Sequence, residues 1–186
     1  MARTPSNMLA LKTVAPDFIL PDTVSDKNRS LDEVAGEKGT MVMFICNHCP
    51  YVIHVKDEMV SIANEYQQKG IGFVAISSND VENYPADSPE KMKEFAAQEG
   101  FSFPYLYDET QSVARAYEAA CTPDFYLFDS DKHLYYRGRM DASRPGNQVP
   151  LTGKDLRTAL DSLLSGKPAP VEQHPSMGCN IKWKRI

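Results

Sequence analysis

Two apolar, β-favouring runs, residues 39–45 and Ile71–Ser77, flank one amphipathic segment, and that order constrains this chain more than anything else in it. A nearly continuous apolar run suits a strand buried on both faces of a sheet, and strand, helix, strand in succession implies a right-handed parallel crossover. The segment between them carries Val52, Val55, Met59, Ile62, Ala63 and Tyr66 at helical spacing and stops at Lys69 and Gly70. That pattern predicts a helix of about five turns. Where the first run meets this helix the chain reads Cys46-Asn47-His48-Cys49-Pro50. Pro50 is tolerated only in the first turn, so Asn47 is the expected N-cap and the cysteines straddle the helix start.

Residues three apart on a helical turn have side chains about 5–6 Å apart, inside the range a disulfide bridges. The pair can open and close with little backbone movement. Unpaired amides and the positive end of the helix dipole favour an anion there, so the leading thiol is expected to ionise easily. Cys46 is then the nucleophile and Cys49 its resolving partner.

Other classes are excluded by composition. The 186 residues suffice for one well-buried core, and 42% hydrophobic with 24% charged residues is ordinary for a globular chain. A net charge of −5 speaks against nucleic acid or an anionic membrane as the main partner. Only residues 182–185 are locally basic. With no long apolar run and no apolar leader at the start, the expected location is cytoplasmic. Four cysteines are too few for a disulfide scaffold, and a cytosolic C-x-x-C is catalytic or metal-binding. Zinc would need His48 or His54 to complete the ligand set, because Cys121 and Cys179 form no second C-x-x-C.

Further along, residues 15–21 read as a short extended edge piece between prolines. Ser88 and Pro89 open a helix ending near Gly100. Residues 103–107 suggest a short strand and 110–119 a short helix. Asp124–Asp129 and residues 133–138 form a hairpin across Ser130, Asp131 and Lys132. A last helix carries Leu156, Ala159, Leu160, Leu163 and Leu164, with Thr152 as its cap and Gly166 as its stop. The expected domain covers 1–166, and 167–186 form a proline-rich C-terminal tail packed on or near it.

This sum, a strand–helix–strand unit with C-x-x-C at the first junction, another helix, a hairpin introduced by Thr122-Pro123 and a final helix, resembles the thioredoxin fold. It implies an α/β, three-layer structure: a central mixed β-sheet flanked by helices, with an N-terminal extension and an inserted helix. The inserted residues between Asn79 and Gly100, with Ala15-Pro16-Asp17-Phe18, resemble the redoxin branch of TlpA/ResA-like thiol oxidoreductases and AhpC/TSA peroxiredoxins. The segment around Cys46-Asn47-His48-Cys49-Pro50, the run 137–147 and the terminal 178–183 resemble a peroxiredoxin-like bacterial group.

The resemblance implies that Thr122 and a cis Pro123 bind a substrate strand beside the cysteines. It implies that His48, placed as in DsbA and protein disulfide isomerase, stabilises the Cys46 thiolate, with Asn47 and Pro50 modulating the pair. Cys121 and Cys179 are candidate additional redox thiols, and Arg144 is similar to the thiolate-stabilising arginine of peroxiredoxins. Ile45 stands where thioredoxins carry tryptophan, and no counterpart of their buried acid is evident. The expected function is thiol–disulfide oxidoreduction through Cys46 and Cys49, on protein or small-molecule disulfides, with a thioredoxin or glutathione system as electron donor. No cofactor or metal is expected, and the assembly is a monomer or homodimer. Two alternatives stay open. One is a thiol peroxidase reacting at Cys49, although Val42 and Cys46 replace the Pro and Thr of the peroxiredoxin motif. The other is Sco-like copper binding without turnover.

Overall fold

Every residue of strand β4 (Gly39–Phe44) is buried, because the strand lies in the middle of a sheet covered on both faces. The computed structural model describes residues 3–185. Alternation along β4 sends Met41 and Met43 into one core layer and Val42 and Phe44 into the other. Helix α2 (Pro50–Gln67) adds Val52, Val55, Met59, Ile62, Ala63 and Tyr66 to the first layer. Helices α3 (Pro89–Glu99) and α5 (Lys154–Leu164) complete it with Met92, Phe95, Leu156 and Leu160. The second layer is closed by α1 (Leu31–Val34) and α4 (Ser112–Ala116). Full burial of each such aliphatic or aromatic side chain contributes about 1.5–3 kcal/mol.

The seven-stranded sheet has the order β3 (Lys27–Ser30), β2 (Ile19–Asp22), β6 (Tyr105–Tyr107), β5 (Ile71–Ser77), β4, β8 (Asp124–Asp129), β9 (Leu134–Gly138). Strands β4, β5 and β6 are parallel, and the flanking pairs are antiparallel. This is the expected mixed α/β sheet. A second, three-stranded sheet has the order β1 (Arg3–Pro5), β10 (Met177–Asn180), β7 (Cys121–Thr122). The segment after α5 thus supplies the middle strand of a sheet whose far edge leads directly into the hairpin. No helix among the described residues is long and apolar enough to cross a membrane.

Three local expectations need correction. Helix α2 starts at Pro50 with Cys49 as its N-cap (φ −73°, ψ 122°), not with Asn47. Proline suits the first helical position and pushes its predecessor into an extended conformation, which takes Cys49 out of the helix. Helix α5 is preceded by Gly153 at φ 65°, not capped by Thr152. The amides of Thr152 and Gly153 both donate to the Asp141 carboxylate at 2.7 Å, so a distant acid does the work assigned to a local hydroxyl. Strand β2 is not an edge, because β3 pairs along its outer side.

Candidate functional site

The end of β4 and the start of α2 bring the cysteines against Thr122, which precedes a cis peptide to Pro123. Cys46 Sγ lies 3.4 Å from Thr122 Oγ1, and Cys49 Sγ lies 3.2 Å from the Thr122 carbonyl oxygen. Both cysteines are reduced and buried, with exposures of 1% and 0%. A hydrogen bond from Cys46 draws Cys49 down to about 5 against the opposing effect of burial, and the Cys179 thiol, Thr122 and the Val52 amide add to it. The same bond to Cys49, followed by burial, pushes Cys46 well above the ordinary thiol range. The two sulfurs thus shift each other in opposite directions, Cys49 down and Cys46 up.

The lowering thus falls on Cys49 rather than on the leading thiol; the Cys46 hydrogen bond is its largest cause, and the helix start adds to it. As N-cap, Cys49 faces the free Val52 amide at the third helical position, while Cys46 sits one loop earlier, outside the first turn.

An acid that the sequence did not reveal stands beside the pair. Asp87, at the end of a single 3₁₀ turn (Pro85–Asp87) in the inserted segment, is fully buried. Its Oδ1 accepts the Asn47 amide at 2.8 Å, and its Oδ2 lies 2.7 Å from His48 Nδ1 and 2.8 Å from Asn79 Nδ2. Burial pushes the Asp87 carboxyl up, but bonds from His48, Asn79 and Asn47 outweigh it and hold it below the usual carboxylate range. Hydrogen bonding to Asp87 raises His48 in turn, opposed by partial burial. The loop between the cysteines is thereby pinned. Asn47 also donates through Nδ2 to the Ala86 carbonyl (2.9 Å) and accepts from the Tyr105 hydroxyl (3.0 Å), and His48 stacks on Tyr84. The sequence signal for Asp87 was faint: one acid among several in a polar loop, its burial visible only once that loop folds over the helix start. Asp124, next to Pro123, is a second buried acid, pushed up by burial to about 8.

The segment after α5 reaches the same place. Cys179 pairs with Thr122 across β10 and β7. Gly178 lies so close to β7 that a Cβ there would come within 1.9 Å of the Thr122 carbonyl oxygen, which leaves room only for glycine. Beyond the strand, the Lys182 amide donates to Asn79 Oδ1 at 2.8 Å, and the Asp80 amide donates to the Lys182 carbonyl at 2.8 Å. Asn79 therefore joins this segment to the Asp87–His48 pair.

Comparison with known proteins places this arrangement. The model of the AhpC/TSA family matches residues 11–137. The chain belongs to the AhpC/TSA family. It is 26% identical over 163 residues to the thiol-disulfide oxidoreductase ResA of Geobacillus thermodenitrificans, covering 86% of this chain and 82% of that protein. A conserved protein of Geobacillus kaustophilus has a crystal structure that matches with a TM-score of 0.98 and 54% identity, over 100% of this chain and 98% of that one. A hypothetical protein from Sinorhizobium meliloti 1021 matches with a TM-score of 0.96 and 43% identity, over 98% and 100% of the two chains. A thiol:disulfide interchange protein of the DsbE type from Chlorobium tepidum, at 21% identity and TM-score 0.65 over 84% of this chain and 99% of that one, shares the thioredoxin-like fold.

The remaining sequence candidates of this AhpC/TSA family member fall in different places. Arg144 lines a shallow cleft with Tyr51, His54, Pro123, Arg139 and Met177, and neither Cys46 nor Cys49 is part of that lining. Cys121 is buried, and its sulfur lies 3.9 Å from the Pro123 carbonyl oxygen. Burial, then the Asp124 charge, push its thiol far up. Cys46, His48 and Asp87 offer ligand atoms within 4.8 Å of one another, the one cluster among the described residues with metal-like spacing. Its His48 and Asp87 atoms already face each other at 2.7 Å, so an ion would have to displace that contact. His54 is bonded to Ser143 at 2.8 Å, away from the thiols.

Proposed function

We propose that the chain is a thiol–disulfide oxidoreductase working through a Cys46–Cys49 dithiol–disulfide cycle. The observation that carries this reading is the pair of reduced sulfurs set against one residue, Thr122, beside the cis Pro123. In the reducing direction Cys46, on the His48 side, attacks a substrate disulfide. A Cys46–substrate bond forms, the first substrate thiolate leaves, and it takes the proton that the pair held. The Cys49 thiolate then attacks the Cys46 sulfur, closing the Cys46–Cys49 disulfide and expelling the second substrate thiolate. His48, raised by Asp87, is placed to protonate that leaving thiolate. Two electrons pass from the dithiol to the substrate, and an external dithiol of the thioredoxin type, or glutathione, restores the reduced pair. Thr122 and Pro123 present the substrate.

The test is a redox-buffer titration with mass-spectrometric mapping of every disulfide. A reversible Cys46–Cys49 bond near about −270 mV indicates a reductase, and one near about −120 mV an oxidant. Failure of this bond to form at any potential removes the proposal.

The lowered thiol of Cys49, directly before Pro50, favours a second reading as a thiol peroxidase. The Cys49 sulfur would take one oxygen from a peroxide, breaking its O–O bond and releasing water or an alcohol, to become a sulfenic acid, and Cys46 would condense with it to the disulfide, releasing water. Peroxide consumption by the purified protein, lost in Cys49→Ser, supports this reading; no consumption removes it.

A further inference from the structure

The dithiol cycle uses two of four buried thiols, and a third lies against them. Thr122, the residue that touches both active sulfurs, has Cys179 as its partner across the β7–β10 ladder. Cys179 is buried and shares one core cluster with Cys46 and Cys49, and its thiol and the Cys49 thiol shift each other's ionisation. Its position is fixed from all sides. Strand β10 is paired with β1 along one edge and with β7 along the other. Below the cysteine, Ser176 Oγ donates to the Gly138 carbonyl at 2.6 Å and the Ser6 amide donates to the Ser176 carbonyl at 3.0 Å. Above it, the Ile181 amide donates to the Ala120 carbonyl at 3.0 Å and Lys182 is held by Asn79. Cys121 differs in each respect: its partner across the ladder is Asn180 and its sulfur faces the Pro123 carbonyl.

We infer that Cys179 is the third redox thiol of the site, exchanging with the Cys46–Cys49 disulfide to form a Cys49–Cys179 bond. This rests on the dithiol reading above. In the step, the Cys179 sulfur attacks Cys49, the Cys49–Cys179 bond forms and the Cys46–Cys49 bond breaks. Cys46 leaves with the electron pair and takes up the proton that Cys179 gives up. No oxidant or reductant is consumed, because one disulfide replaces another. The oxidised protein thus holds its disulfide between α2 and β10, ties the strand to the helix, and returns Cys46 as a free thiol beside His48.

The experiment oxidises the full-length protein in glutathione buffers, quenches by alkylation and maps disulfides by mass spectrometry, for wild type, Cys46→Ser and Cys179→Ala. Wild type is expected to show both internal disulfides, in a ratio that does not change with the glutathione potential, since their exchange is redox-neutral. Cys46→Ser should trap Cys49–Cys179. In wild type a fraction of Cys46 should stay open to alkylation after oxidation, and in Cys179→Ala that fraction should vanish. This last comparison does not depend on whether Cys46→Ser folds. If wild type forms Cys46–Cys49 alone and the labelling of Cys46 is unaffected by Cys179→Ala, the inference is overturned while the dithiol cycle stands. If no internal disulfide forms in wild type, both fall together.

Discussion

Helices α2 and α3 begin with the same backbone device and differ in one atom of chemistry. Each has proline in its first turn after an extended N-cap residue, Cys49 before Pro50 and Ser88 before Pro89. The Ser88 hydroxyl accepts the Lys91 amide at 3.4 Å, an ordinary cap. At α2 no side chain caps in that sense, and the free Val52 amide faces a sulfur instead. The same kind of unsatisfied amide that stabilises a fold at α3 helps to lower a thiol at α2. The surroundings of the cap differ too: Ser88 is half-buried, whereas Cys49 is fully buried among Cys46, Thr122 and Cys179.

Exchanging the two caps' roles gives the largest expected effect. Cys49→Ser should reduce turnover of an aromatic disulfide to background, as should Cys46→Ser, while Cys49→Ser keeps the fold because a hydroxyl is the usual cap; near-native turnover in either variant would separate the cysteines from the activity. Next in size is the Cys49 titration, followed by ultraviolet thiolate absorbance. Its midpoint near 5 should move toward about 8.5 in Cys46→Ala, which removes the largest cause of the shift. An unmoved midpoint would assign the effect to the helix start alone.

Asp87→Asn tests what surrounds the α2 cap. His48, followed by NMR, should titrate at lower pH, and stability should fall by about 1–3 kcal/mol as the buried bonds of Asp87 are weakened. The folded value of His48 is raised, so its contribution is complete below about 6.5 and is lost as pH rises through the folded value. The folded value of Asp87 is lowered, so its contribution is present above about 3.9 and is lost as pH falls through the folded value. The pair therefore stabilises most between these limits, and the variant's stability profile there should be flatter. Ser88→Ala gives the smallest change, about 0.5–2 kcal/mol in denaturant unfolding, with the Cys49 titration unaltered. A shifted Cys49 titration in Ser88→Ala would mean that the two helix starts are not independent.

Much of this molecule was legible in advance where the information is local. The burial of β4 and β5, the five turns of α2, the Ser88-Pro89 start of α3 and the β8–β9 hairpin follow from periodicity and from the fixed geometry of proline. The placement of Cys46 and Cys49 together at the start of α2 follows from their spacing. Long-range encounters were not legible. Asp87 reaches the cysteine loop from 40 positions away, and Asp141 takes over the start of α5 from 11 and 12 positions away. The placement of Cys179 opposite Thr122 depends on a strand pairing that no periodicity announces.

By itself, the sequence determined a parallel strand–helix–strand frame and a pair of cysteines at its junction, because side-chain alternation and proline stereochemistry act within a few residues. The tertiary structure alone decided which thiol is drawn down, which acid holds the histidine and which third cysteine lies opposite Thr122. Ionisation in a buried site depends on neighbours that folding brings together from distant parts of the chain.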